Sequence, residues 1–146
     1  MLRSLLAIIV STIIGLTVAK FIEGGGLAVF PPPENVEMAD PQSVNAAWRE
    51  FPVGYRASLL IGWGLGAFAA AALALFIARR WRPIGYLAAA SIGLQAMITL
   101  GGRPFSPLLW VGAAILVAGG GEAAVRILKA RAQPDNSKSD QGGLFT

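Results

Sequence analysis

The chain contains no cysteine and no histidine, and charged residues make up only 14% of its 146 positions. Without cysteine it has no disulfide framework, no thiolate metal site and no thiol nucleophile. Without histidine it lacks the commonest metal ligand and the commonest general base. Haem, zinc and histidine-dependent hydrolase chemistry are therefore not expected, and no cofactor is assigned. A typical soluble domain is ~25% charged. Here the charges are also absent from long stretches: none falls between Arg3 and Lys20, Arg56 and Arg79, Arg82 and Arg103, or Arg103 and Glu122.

What fills those stretches is apolar. Hydrophobic residues reach 55% and the mean hydropathy is +0.61. Each run is close to the length an α-helix needs to cross a ~30 Å hydrocarbon layer at ~1.5 Å per residue. The stretch from Ala57 to Ala78 has no polar face, so such a helix must be surrounded by lipid or by other helices. The fold class expected is all-α: a polytopic membrane protein with four transmembrane helices over about 2–30, 57–78, 84–101 and 107–128. These form one domain, 1–132, with an outer loop at 31–55. Residues 133–146, rich in Gln, Asn, Ser and Gly with no apolar period, are expected to be a disordered cytoplasmic tail.

Lys and Arg concentrate on the cytoplasmic side of membrane spans. With the N-terminus inside, Arg3, Arg79, Arg80, Arg82, Arg126, Lys129, Arg131 and Lys138 all lie inside. Only Lys20, Arg49, Arg56 and Arg103 lie outside, beside Glu23, Glu34, Glu37, Asp40 and Glu50. Trp and Tyr favour the membrane interface, and Trp81, Tyr86, Trp48, Tyr55 and Trp110 fall near span ends. The expected topology is N-in/C-in. The net charge of +4 is accounted for by this topology and does not call for nucleic acid.

The first segment has two readings. A basic start, an apolar stretch from Leu5 to Leu16 and the small-residue end Thr17-Val18-Ala19 fit a cleaved signal peptide. Apolar sequence resumes at Phe21-Ile22, however, and the firm stop is Pro31-Pro32-Pro33. An uncleaved helix over 2–30 would be ~43 Å long and would tilt or project. In the outer loop, Asp40-Pro41 supplies an N-cap acceptor followed by proline at the first helical position. Val44, Ala47, Trp48 and Phe51 then recur at helical spacing. A short amphipathic helix ending near Pro52 is expected on the outer membrane surface, acting as a lid or as a docking surface.

Small residues set the expected packing. In the second span Ser58, Gly62, Gly66, Ala70, Ala74 and Ala78 recur every four residues, with a shorter version at Ser11, Gly15 and Ala19. Gly62, Gly66, Ala70 and Gly15 are the helix-packing candidates, within one chain or between two. Gly119-Gly120-Gly121 either admits a close neighbour or loosens the last span.

Polar residues inside a membrane are candidates for function. Ser91, Gln95 and Thr99 share helical spacing, and Gln95 is expected to hydrogen-bond across to Thr12 or Ser11, or else to line a small polar cavity. Glu122 stands four residues before Arg126, a favourable helical ion-pair spacing. Glu23 follows Lys20 by three residues. The two form either an interfacial pair with Lys20 snorkelling outward or a site where Glu23 titrates, binds a cation or holds a substrate. Gly24-Gly25-Gly26 lacks the strand, lysine and helix context of a phosphate loop.

Three fragments carry a resemblance: Phe21-Ile22-Glu23 with Phe30-Pro31-Pro32-Pro33; Ala39-Asp40-Pro41; and Phe51-Pro52 with Gly62-Trp63-Gly64-Leu65-Gly66. Together they resemble a broad set of small bacterial four-helix integral membrane proteins without an assigned activity. The resemblance implies the bacterial inner membrane and four spans. That set often has a histidine in the turn before the last span, where this chain has Pro104-Phe105-Ser106-Pro107, so no ligand role carries over. The function expected is an accessory or scaffold subunit packing against a larger membrane complex, with a small oligomeric transporter using Glu23 as the alternative. Four-helix multidrug transporters place a carboxylate within the first span, and Glu23 lies nearer that span's end. A membrane enzyme is not expected, given these residue types. The partners expected are the lipid bilayer and a larger membrane-protein complex or further copies of this chain.

Overall fold

The computed structural model describes residues 2–79, 81–101 and 107–130, with side chains from residue 4 onward. The tail from 133 and most of the turn around Arg103 lie outside the described residues. Among the described residues, four helices are long and apolar enough to cross a membrane: α1, Leu2–Val29; α3, Val53–Ile77; α4, Arg82–Gly101; and α5, Pro107–Ile127. Between α1 and α3 lie α2, Pro41–Ala46, and a single 3₁₀ turn, Trp48–Glu50. The protein is thus a multi-pass helical membrane protein by length and composition.

The helix ends follow local chemistry. α1 runs unbroken through Gly24, Gly25 and Gly26 and stops before the proline triplet, because proline cannot continue the hydrogen-bond ladder. α3 begins at Val53, directly after Pro52, so it starts four residues before the expected boundary and takes Tyr55 and Arg56 into its first turns. α3 and α5 end at Arg79 and Lys129 in the left-handed conformation, φ 52° and 49°. That is the usual helix-terminating geometry, more often filled by glycine. Here a cation occupies it, which complements the negative end of the helix dipole.

α3 is the hub, packing against α1, α4 and α5. Its contact with α1 is antiparallel and runs along the small-residue stripe. A Cβ on Gly66 would lie 2.7 Å from the Gly15 carbonyl oxygen, and one on Gly62 would lie 3.0 Å from that of Ala19. A Cβ on Gly15 would lie 2.7 Å from that of Ala70. The stripe therefore joins two helices of one chain. Gly26 meets Ser58 one end further along. Without a hydrophobic drive between helices in lipid, this close approach supplies dispersion contact instead.

A second seam joins α3 to α5, where Gly64 faces Leu116 and Gly120. α4 closes the bundle against α3 through Gly85 and Leu75, and against α5 through Gly93 and Val117. Trp63 and Leu75 are among the large side chains buried within. The outward surface is apolar: Ile13, Phe21, Phe76, Leu94, Leu108 and Ile115 are all exposed, as a lipid-facing belt requires.

Polar contact between spans is sparse. Thr12 and Ser91 share a 2.7 Å hydrogen bond between α1 and α4, and Ser11 turns back to the Ile8 carbonyl. Because the chain lacks cysteine, this contact offers a clean test of the packing. Thr12→Cys with Ser91→Cys is expected to form an intramolecular disulfide on mild oxidation, seen as a faster-migrating monomer on non-reducing gels. Thr12→Cys paired with Gln95→Cys should not cross-link. Equal cross-linking of both pairs would contradict this α1–α4 register.

Candidate functional site

Among the described residues, three places hold the polar side chains that bear on function. The first is the end of the bundle carrying the α1–α3 loop. Asp40 caps α2 by accepting from the backbone N–H groups of Gln42 and Ser43, each at 3.0 Å. Glu37 N–H donates to Ser43 Oγ. The helix expected to reach Pro52 ends instead at Ala46, and the chain tightens into the 3₁₀ turn. That turn directs Trp48 and Phe51 inward onto Tyr55, with ring centroids 5.2–6.1 Å apart. Arg56 holds the turn down: its Nη2 donates to the Trp48 and Arg49 carbonyls at 2.9 and 2.8 Å. Its guanidinium carbon also lies 5.9 Å from the Trp48 ring centroid.

Glu23 sits beneath this aromatic group. Its Oε2 accepts from Lys20 Nζ at 2.6 Å and its Oε1 from the Tyr55 hydroxyl at 3.3 Å. The carboxylate side chain is 13% exposed while that of Lys20 is 60% exposed, so the lysine reaches outward and the acid inward. Tyr55 is the member the sequence reading missed. Thirty-two residues separate it from Glu23, and no local spacing links them.

The second place is the opposite end of the bundle, between α4 and α5. Glu122 accepts from Arg126 Nε at 2.5 Å and from the Tyr86 hydroxyl at 2.6 Å, with Arg82 beside them. The local ion pair is thus one part of a four-residue cluster. The cluster closes one end of an apolar groove of about 510 Å³ between α4 and α5.

The third place is Gln95, and here the expectation is corrected. Gln95 does not bond Thr12 or Ser11. Ser91 takes Thr12, and the Gln95 side chain is exposed with no partner among the described residues. Four residues advance a helix by about 400°, so Gln95 is turned ~40° from Ser91 toward the sector of Ala88 and Ile92, which are both buried. Rotation therefore does not turn it outward; among the described residues no neighbouring helix covers that sector of α4 one turn beyond Ser91. Thr99 bonds only the Gln95 backbone carbonyl.

No family model, curated protein or solved structure matches this chain. Function therefore rests on the geometry alone.

Proposed function

We propose that this chain is an accessory subunit of a larger assembly in the bacterial inner membrane, inserted N-in/C-in. It meets its partner on the outward face of α4 around Gln95. The observation carrying this reading is the orphaned amide. At ~1.5 Å per residue Gln95 lies about 9 Å inside the Gly101 end of α4, within the hydrocarbon. An amide left without hydrogen bonds there costs several kcal/mol, and a partner helix offering a polar group relieves that cost. The N-in/C-in orientation draws on the basic residues Arg79, Arg82, Arg126 and Lys129 at one end, with Glu23, Glu34, Glu37, Asp40 and Glu50 at the other. The loop helix and its buried aromatics serve as an outer lid that keeps α1 and α3 together.

A second reading, an oligomeric transporter using Glu23, draws on that carboxylate's shielding. It is weaker because Lys20 and Tyr55 already engage both oxygens. One experiment addresses both. Affinity purification from native membranes in mild detergent should retain a stoichiometric larger membrane protein. Gln95→Leu should reduce that recovery about fivefold or more, consistent with ~1–2 kcal/mol for an interhelical hydrogen bond in lipid. Glu23→Gln should leave it unchanged. Recovery of the chain only as a homo-oligomer, with a substrate-dependent phenotype lost in Glu23→Gln, would overturn the accessory reading in favour of transport.

A further inference from the structure

The groove between α4 and α5 exists because its walls are short side chains. Ala90 and Gly93 on α4 face Ala114 and Ala118 on α5, leaving a space of about 510 Å³ open to the outside of the bundle. That volume falls within the usual range for small-molecule sites, ~300–1,000 Å³. The two helices remain in contact behind it, Gly93 against Val117 and Gly121 against Ala89. A further helix, ~10 Å across with its side chains, is too wide to enter. Void against apolar walls forfeits dispersion contact, so a narrow apolar occupant is favoured.

The two ends of the groove differ. Trp110 and Leu100 line one end, Tyr86 and Glu122 the other. From Trp110 to Glu122 along α5 is ~18 Å, slightly more than the ~15 Å of one leaflet's share of the hydrocarbon layer. At the polar end the Glu122 charge is matched by Arg126. Arg82 makes no ion pair among the described residues, so the cluster carries one excess positive charge. The Arg126 side chain is 77% exposed and engages Glu122 through Nε, leaving its outer nitrogens turned to solvent. The groove is thus apolar along ~18 Å and cationic at the end where α4 begins and α5 finishes.

We propose that this groove holds one acyl chain of an anionic phospholipid, with its phosphate at Arg82 and Arg126 and its chain running toward Trp110. The site lies on a different face from Gln95 and does not depend on the accessory reading or on which side of the membrane the N-terminus occupies.

The test uses the full chain in mild detergent with phosphatidylglycerol or phosphatidylcholine as probe. By native mass spectrometry one phosphatidylglycerol should be retained per chain, in preference to phosphatidylcholine. Arg82→Gln should lower that preference about fivefold, the worth of one cation near an anionic headgroup. Ala114→Leu with Ala118→Leu, which fills the groove from α5 while adding only apolar bulk, should abolish retention of both lipids. Phosphatidylglycerol with bromine near the chain end should quench wild-type tryptophan fluorescence, and Trp110→Phe should remove most of that quenching. Equal retention of the two lipids, unchanged retention in the filled variant, quenching indifferent to Trp110→Phe, or a lipid-free dimer would each overturn the proposal.

Discussion

Gly66→Val is expected to destabilise the bundle by about 3 kcal/mol, the upper part of the usual range for overpacking. The same change at Gly24 should stay within ~0.5 kcal/mol. A Cβ at residue 66 would fall 2.7 Å from the Gly15 carbonyl oxygen and 3.1 Å from the Ala19 Cβ. Carbon contacts are comfortable at ~3.5–4.0 Å, so α1 and α3 would have to part by most of an ångström. Neither neighbour can rotate away, since one is backbone and the other a methyl on backbone. Parting the helices also loosens Gly62 against Ala19, and the two γ-methyls of valine add further bulk. At Gly24 no described residue lies within 4 Å. Unfolding by dodecyl sulfate in mild detergent, followed by far-UV circular dichroism, should give a much lower midpoint for Gly66→Val. Coincident curves for the two variants would mean that the α1–α3 seam does not carry the fold.

That contrast also marks what a linear reading can reach. The spans are legible because solvent preference is a property of each residue, and an uncharged run needs no knowledge of its neighbours. The α1–α3 seam is nearly as legible, because small residues every fourth position lie on one face and imply a close partner. The sequence leaves that partner unspecified, and it proves to be α1. Tyr86 with Glu122 and Tyr55 with Glu23 were invisible for a different reason. Each pair joins residues more than thirty positions apart, and their meeting depends on helix rotation. The hint available for Tyr86 was its position four residues after Arg82, which places both on one face near a span end. Gln95 shows the cost of assuming that a neighbour met at one turn of a helix is still there at the next. Its ~40° drift carries it toward the sector of the buried Ala88 and Ile92, yet it is exposed because no described helix covers α4 at that level.

The same rotational sensitivity makes the glycine triplet of α5 the sharpest remaining test. Consecutive helical residues point ~100° apart, so Gly119, Gly120 and Gly121 see three different environments. No described residue lies within 4 Å of a Cβ at 119; one at 121 would sit 2.8 Å from the Ala89 methyl; one at 120 would run into the Gly64 carbonyl oxygen, with the Phe68 nitrogen 3.2 Å away. Gly119→Ala should therefore be neutral or stabilise by up to ~1 kcal/mol through helix propensity. Gly121→Ala should cost less than Gly120→Ala, because α4 can yield at a methyl more readily than α3 can yield at its backbone. Gly120→Ala should cost about 2–3 kcal/mol, at the overpacking end of the scale, and should push α5 away from α3. Glu122 lies two positions further along the same helix, so that displacement should also strain its bond to Tyr86. Reduced lipid retention should then accompany the lower unfolding midpoint in Gly120→Ala and not in Gly119→Ala. If the three variants unfold together, α5 is not seated on α3 through Gly120, and the groove it forms with α4 would need a different geometry.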